Sequence, residues 1–396
     1  MEFKISNWYN NFQAPSVLMI DDLSDSYIDI YKESYKNDWG YLSNSENSSY
    51  SFLKKELLDK FYKIKITFFI PYLKHNVIND NTKENFKKYD MGERKEFIDF
   101  LLYLKKEGHE MAHHGSNHGE YIDKYNLYTE NNFKHEWELF KSVEEGVKKI
   151  KNGKEVFEKY LSEPIHGGKF CGYKQIENSL TIIDKSNFYY WCDEVNYLSK
   201  KYNYHFFGKN NIISFPTNFA GNSFNRFIYI TNNKLKDKKK KFLKYLQPIY
   251  NIKKYYHLIK LYKNGYIISI QEHISPSTSS GITQSANIIS DIKSLNKIYS
   301  FLIKKSIWYA TCEEISKYIY IKENSSLSVN NTKLIIDFNN YKSLKNTLIT
   351  IISNQKFTIE DRNRNRIKSL LNNTKYKINI HIQNGKNIYK IVDNNV

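Results

Sequence analysis

Cysteine, arginine and long apolar runs are all scarce in this chain, and each scarcity excludes a class of protein. The three cysteines, Cys171, Cys192 and Cys312, cannot all pair and show no CxxC spacing. That argues against a disulfide framework and fits a reducing compartment. Arginine is confined to Arg94, Arg226, Arg362, Arg364 and Arg366, although its planar fork suits phosphate and base recognition best. The N-terminal stretch MEFKISNWYNNFQAPSV lacks the apolar run of about 7–15 residues that a signal peptide needs. No stretch approaches the roughly 18 apolar residues of a membrane span. A soluble, cytoplasmic protein is expected.

Proline (6) and glycine (15) are few and alanine is rare, while lysine, asparagine, isoleucine, tyrosine (34) and phenylalanine (24) abound. The favoured residues have A/T-rich codons and the depleted ones G/C-rich codons, so base-composition bias accounts for much of the charge. That charge is 60 Lys+Arg against 42 Asp+Glu, a net +18 over 396 residues. No recognition motif accompanies it, so no specific nucleic-acid partner is expected. A hydrophobic content of 40%, with 16% aromatic residues, is ample for a core. The length suits one large domain plus a small one.

Short apolar runs alternate with helical patterns over residues 16–320. The runs are Ser16–Ile20, Ile64–Ile70, Glu110–Ala112, Pro164–His166, Phe188–Cys192, Ile212–Phe215, Tyr266–Ile270 and Ile307–Ala310. They have the length of buried parallel strands, and most finish in polar residues. Glu93–Lys106, Glu130–Lys151 and Ser285–Lys305 read as the intervening helices. The pattern predicts an α/β fold, a distorted (β/α) barrel of seven or eight strands over 1–323. Neither GxGxxG nor GxxxxGK[ST] follows the first run, so nucleotide-binding readings lose their signature.

The composition changes after about residue 323, and 324–396 reads as a small, mainly β accessory domain. Leu334–Phe338 and Leu348–Ile352 look like strands, Asn384-Gly385 predicts a hairpin, and Arg362–Asn373 a helix or long loop. Residues 232–262 form the densest basic stretch. Two readings stay open for it: a solvated helix pair broken at Pro248, or a peripheral contact with an anionic lipid, glycolipid or other polyanion.

Three clusters carry candidate chemistry. Asp21-Asp22 directly follow the run Ser-Val-Leu-Met-Ile. Adjacent carboxylates at a strand end point different ways, so one can hold a metal while the other takes a proton; alone, the pair is more often a turn or a helix cap. Residues 108–119 hold His109, His113, His114 and His118. The spacing of His114 and His118 lets both imidazoles share a metal, with zinc, iron, cobalt or nickel favoured over magnesium. His109 and His113 have plainer roles in packing or support. His273 ends a third run and is placed to act as a general acid.

Taken in order, these motifs resemble the polysaccharide deacetylase family, the NodB-homology carbohydrate esterases. The first family motif is similar to Val17-Leu18-Met19-Ile20-Asp21-Asp22, and the following strand to Thr67-Phe68-Phe69-Ile70. The second resembles Gly108-His109-Glu110 with His114-Gly115-Ser116-Asn117-His118, where Gly115 replaces the usual Ser or Thr. Trp191-Cys192-Asp193, Ile270-Gln271-Glu272-His273 and Trp308–Ile315 resemble the later motifs. The family's third motif carries an arginine that orients the base aspartate. Here the chain reads Glu163-Pro164-Ile165-His166-Gly167-Gly168-Lys169-Phe170, without arginine; Lys169 in its place and His166 in the pocket are both open.

The resemblance implies a divalent metal, Zn2+ first and Co2+, Ni2+ or Fe2+ as alternatives, held by Asp22, His114 and His118. It implies Asp21 as base, His273 as acid oriented by Asp193, and a substrate pocket touching His166, Gly167, Lys169 and Trp191. The implied reaction removes an N-acetyl group from a sugar or a glycan or glycolipid precursor, in cytoplasmic surface-polysaccharide synthesis. A ureide or formamide hydrolase of the same fold, and a non-catalytic glycan-binding module, are the alternatives. The sequence leaves the oligomeric state open.

Overall fold

The computed structural model describes residues 1–23, 48–73, 90–121, 133–194, 203–225, 237–273, 286–372 and 374–392; the side chains of 121, 193–194 and 237–244 also lie outside the description. Its centre is the strand Ala14–Asp21, buried at every position. A run apolar on both faces needs cover on both, which is the environment of a central parallel strand. Ten strands form one sheet. Its path runs through Phe219–Ala220, Ile268–His273, Ala14–Asp21, Ile66–Ile70, Glu110–His113, Gly167–Lys169, Tyr190–Glu194, Ile212–Thr217 and His205–Phe207. Ile307–Tyr309 pairs beside this path with the first half of Ala14–Asp21. The pairings are parallel except that of His205–Phe207.

The fold is thus α/β, but the expected barrel ladder does not close as a ring among the described residues. Ile212–Thr217 and Phe219–Ala220 are consecutive in sequence yet belong to different parts of the sheet path. Asn218 between them spans the gap with its side chain. Its amide nitrogen donates to Ile267 O (2.6 Å), its oxygen accepts from Ser269 N (3.1 Å), and its backbone N–H donates to Ser269 Oγ (3.1 Å). Side-chain hydrogen bonds stand here where a continuous ladder would have backbone ones.

Helices cover the sheet. Lys95–Lys106 buries Phe97, Ile98, Leu101 and Leu104 and ends before Gly108, whose φ of 87° suits a helix exit. The helix read over Glu130–Lys151 begins later. Ser142 caps Val143–Leu161 by accepting from Glu145 N, and a 3-10 turn, Glu136–Leu139, precedes it. Ile288–Leu302 and Cys312–Glu323 follow, capped by Asn287 and by a Thr311/Glu314 box. Asp237–Lys263 is one helix running through Pro248, not the expected pair. No helix among the described residues is long and apolar enough to cross a membrane.

Residues 325–392 form only strands and turns. Ser325–Asn330, Lys333–Phe338, Gly385–Val392, Thr358–Glu360 and Arg366–Lys368 make one antiparallel sheet. Leu348–Ser353, Lys375–His381 and Leu370–Asn372 make another, to which the N-terminal strand Phe3–Ile5 adds. The two share a core that includes Phe3, Leu334, Ile336, Ile351, Phe357 and Ile378. Two expectations are corrected here. Asn384-Gly385 does not join a hairpin, because the strands before and after it enter different sheets. Arg362–Asn373 is neither helix nor loop throughout: after a turn held by the Asp361 carboxylate it forms two short strands.

Candidate active site

Parallel strands deliver their C-terminal residues to one end of the sheet, and there the candidates collect. Asp21 ends its strand beside His273, its register partner on the neighbouring strand. Asp22 then takes φ 64°, a left-handed conformation that aspartate tolerates better than most residues. This turn redirects the chain so that neighbouring carboxylates serve the same site. Asp22 Oδ1 lies 3.2 Å from His114 Nε2 and 3.5 Å from His118 Nε2, with all three side chains buried. His118 is also left-handed, at φ 67°.

The donor chemistry fits a divalent cation. His114 Nδ1 lies 3.2 Å from Lys169 O, so that nitrogen carries the proton it donates to the carbonyl, and Nε2 turns its lone pair toward the carboxylate. Oxygen and nitrogen lone pairs converging in a buried space call for a proton or a cation between them. The imidazole shows the same demand: burial pushes its pKa down, but Asp22 and Asp21 outweigh this and hold it above the usual histidine range. A carboxylate and two imidazoles form the set that suits zinc and its neighbours.

His114, His118 and Cys171 also offer donor atoms within 4.8 Å of one another. The Cys171 thiol is otherwise engaged, donating to His114 O at 2.7 Å. Burial first, then the Glu136, Asp22 and Asp21 carboxylates, push its pKa well up, so it stays a neutral thiol. Asp22 is the better third donor.

Lys169 is buried against Asp21. Its side chain is 0% exposed, and Nζ lies 2.9 Å from Asp21 Oδ1 and 2.7 Å from Oδ2. The ammonium also sits over the rings of Tyr173 and Phe69, at 4.8 and 5.3 Å. Gln271 Nε2 donates to Asp21 Oδ2 at 3.1 Å. On the other side, His273 Nε2 is 3.8 Å from Asp21 Oδ2 and 3.7 Å from Asp22 Oδ2. Its Nδ1 donates to Ala286 O at 2.9 Å. The imidazole is oriented by that carbonyl, whereas Asp193, the expected orienting group, has a side chain outside the described residues.

Glu136 was not legible as a site residue. Its Oε2 accepts from Ser116 N and its Oε1 from Ser116 Oγ, both at 2.6 Å, while Glu136 N donates to His118 O at 3.1 Å. It therefore clamps the loop that carries both histidines. It also explains Gly115. A Cβ there would stand 2.3 Å from Glu136 Oε2 and 2.4 Å from Cys171 Sγ, at φ 80°. The Ser or Thr of the family pattern has no room.

Three expected pocket residues are not brought to this site. The strand predicted at Pro164–His166 forms three residues later, at Gly167–Lys169. His166 thus precedes the strand, at the end of the sheet opposite Lys169. It pairs with Glu313 (2.8 Å) and stacks on Tyr189. Gly167 lacks a side chain because a Cβ would stand 2.0 Å from the Tyr190 ring. Trp191 is 1% exposed, packed among Trp137, Phe170, Phe188 and His113.

His113 and His109 are structural. His113 is buried, accepts from Gly115 N at 2.8 Å and is held to about 3 by burial; His109 accepts from Ile66 N at 3.3 Å and is held to about 4, again by burial. Glu110 caps a helix, its Oε2 accepting from Glu313 N (2.9 Å) and Thr67 Oγ1 (2.8 Å). A cavity of about 220 Å³ beside it, lined by Lys65, Lys105, His109 and Glu163, has its lysines paired with Glu314 and Glu163. It adjoins the starts of the strands, away from Asp21 and Asp22.

No family profile matches the sequence, and no curated protein does. Solved structures with a similar backbone include a putative polysaccharide deacetylase from Mycobacterium smegmatis, at 11% identity and a TM-score of 0.43, over 83% of this chain and 97% of that one. Puue allantoinase is similar at 13% identity and 0.43, over 79% and 92%. A family 4 acetyl xylan esterase from Clostridium thermocellum, solved with a cobalt ion, is similar at 12% and 0.34, over 76% and 89%. Polysaccharide deacetylases thus stand among the structural neighbours, at a similarity too low to assign chemistry. The side chains must do that.

Proposed function

We propose that this chain is a metal-dependent hydrolase that removes an N-acetyl group from a sugar or from a glycan or glycolipid precursor. The observation that carries this reading is the convergence of Asp22 on His114 and His118 beside an Asp21 held by a buried lysine. Asp22, His114 and His118 would hold the metal, Zn2+ before Co2+, Ni2+ or Fe2+. Bound there, it supplies positive charge that polarises the acyl oxygen and lowers the pKa of a water.

The chain's own groups do the rest. Asp21 accepts the proton of the attacking water, and Lys169 with Gln271 holds that carboxylate in place. His273, with Nδ1 fixed to Ala286 O, presents Nε2–H to the departing nitrogen. The C–N bond breaks, the acyl carbon gains the water oxygen, and the nitrogen leaves as a free amine beside acetate. Residues 324–396 are read as an accessory unit that Phe3–Ile5 completes. A cytoplasmic step in surface-glycan synthesis is the setting that the sequence favours.

The test combines metal analysis of the purified protein with an acetate-release screen over N-acetyl sugars, free, nucleotide-linked and lipid-linked. Bound metal and acetate release, both lost in Asp22→Ala, are expected. An Asp22→Ala protein that kept both would overturn the assignment, and release of ammonia or formate instead would point to the ureide or formamide alternative.

A further inference from the structure

The helix Asp237–Lys263 carries apolar residues on two opposite faces. One packs on the fold. Leu258 and Leu261 are buried, Gln247 Nε2 donates to Phe224 O at 3.1 Å, and the Tyr255 ring lies 4.4 Å from that of Phe224. The other face holds Tyr245, Ile249, Ile252 and Tyr256, which are 80%, 66%, 70% and 69% exposed. Steps of four, three and four residues at 100° per residue put these side chains on a single line, roughly 16 Å long at 1.5 Å per residue. An aligned row of four large apolar side chains in water marks a surface that another phase covers.

The charge of the helix specifies that phase. Lys253, Lys260 and Lys263 are exposed, the sequence of the first turns adds five more lysines, and Asp237 is the helix's one acid. Pairing with a second copy would set lysines against lysines across a two-fold axis, which costs affinity. An anionic bilayer opposes them with phosphates, and tyrosines at both ends of the row suit its wet boundary.

We propose that this helix docks its outer face on an anionic lipid surface, with Tyr245, Ile249, Ile252 and Tyr256 entering the headgroup boundary. Gln247 is tied to Phe224 just beyond the end of Phe219–Ala220, while Gln13, before the first sheet strand, donates to Tyr262 O and Lys263 O at 3.2 and 3.0 Å. The Tyr245 end of the row therefore lies at the same end of the sheet as Asp21 and His273. The docking is independent of the hydrolase reading, since none of its residues belongs to the site.

Cosedimentation of the full chain with vesicles tests it. Stronger binding to equimolar phosphatidylcholine–phosphatidylglycerol vesicles than to phosphatidylcholine alone is expected, weakening as salt rises. The quadruple variant Tyr245→Ser, Ile249→Ser, Ile252→Ser, Tyr256→Ser should lower that partition about tenfold or more, with circular dichroism unchanged because the four side chains are exposed. Equal binding by the variant, equal binding to both vesicles, or no binding at all would overturn the proposal. So would a protein that self-associates through these four residues and ignores vesicles.

Discussion

Lys169 bridges both oxygens of Asp21 from a site with no exposed surface. One partner of a buried ion pair cannot be removed cheaply, because the other is left as an unpaired charge in a poor solvent. Lys169→Met should therefore cost about 3 kcal/mol or more of stability, read from urea unfolding. It should also lower acetate release about a hundredfold as Asp21 loses the contacts that aim it. Lys169→Arg, which keeps the charge, should retain part of what the methionine variant loses.

The two structural histidines set a pH dependence that has nothing to do with turnover. Burial holds His113 at about 3 and His109 at about 4, against about 6.5 unfolded. Between those values the unfolded chain binds protons that the folded chain refuses, so their contribution is full above about pH 6.5 and is lost as pH falls. Denaturant unfolding at pH 7 and pH 5 should show lower stability at pH 5. His113→Asn, which can still accept from Gly115 N, should flatten the decline; an unchanged slope would show that other groups dominate it.

At the scale of elements, the histidine loop is shaped as much by Glu136 as by its own sequence. The carboxylate ties Ser116 twice and fills the space that makes Gly115 obligatory. Glu136→Ala should free residues 115–118 and weaken zinc binding by about 10–100-fold, the usual scale for a lost supporting contact. Competition with a chromophoric chelator measures this, and affinity equal to wild type would show that the loop holds its shape unaided. Register matters equally. The shift of one strand to Gly167–Lys169 carries Lys169 to the site and leaves His166 at the other end.

Across the whole molecule, Phe3–Ile5 reaches over to the strand Leu348–Ser353. Phe3 packs edge-on against Phe357, with ring centroids 5.0 Å apart, and its strand pairs with Leu348–Ser353. Phe3→Ala should cost about 3 kcal/mol by the usual penalty for an emptied aromatic site, a large effect for a residue so near the terminus. Urea titration of the full chain measures it, and a change within error would mean that the N-terminal strand is dispensable.

The α/β class, most of the strands and the residue types of Asp21, Asp22, His114, His118 and His273, which the structure brings together, were legible from local information. Buried strands write themselves as apolar runs, and carboxylates and imidazoles stand out where those runs stop. Non-local pairings were not. The pairing of Lys169 with Asp21, 148 residues away, was open only through the family resemblance, and nothing near Glu136 points to Ser116. Gly167 was expected to touch substrate, whereas the Tyr190 ring lies where its side chain would be. The Asn-Gly signal at 384–385 describes only the local bend, and the core shared by two sheets decides where each flanking strand pairs. The lysine-rich composition likewise left the basic helix ambiguous, because charge counts carry no direction. Alternation and residue type determined which elements form and which residues are candidates for chemistry. Tertiary packing alone decided which groups face each other, because register, close approach and burial arise between segments that the sequence keeps far apart.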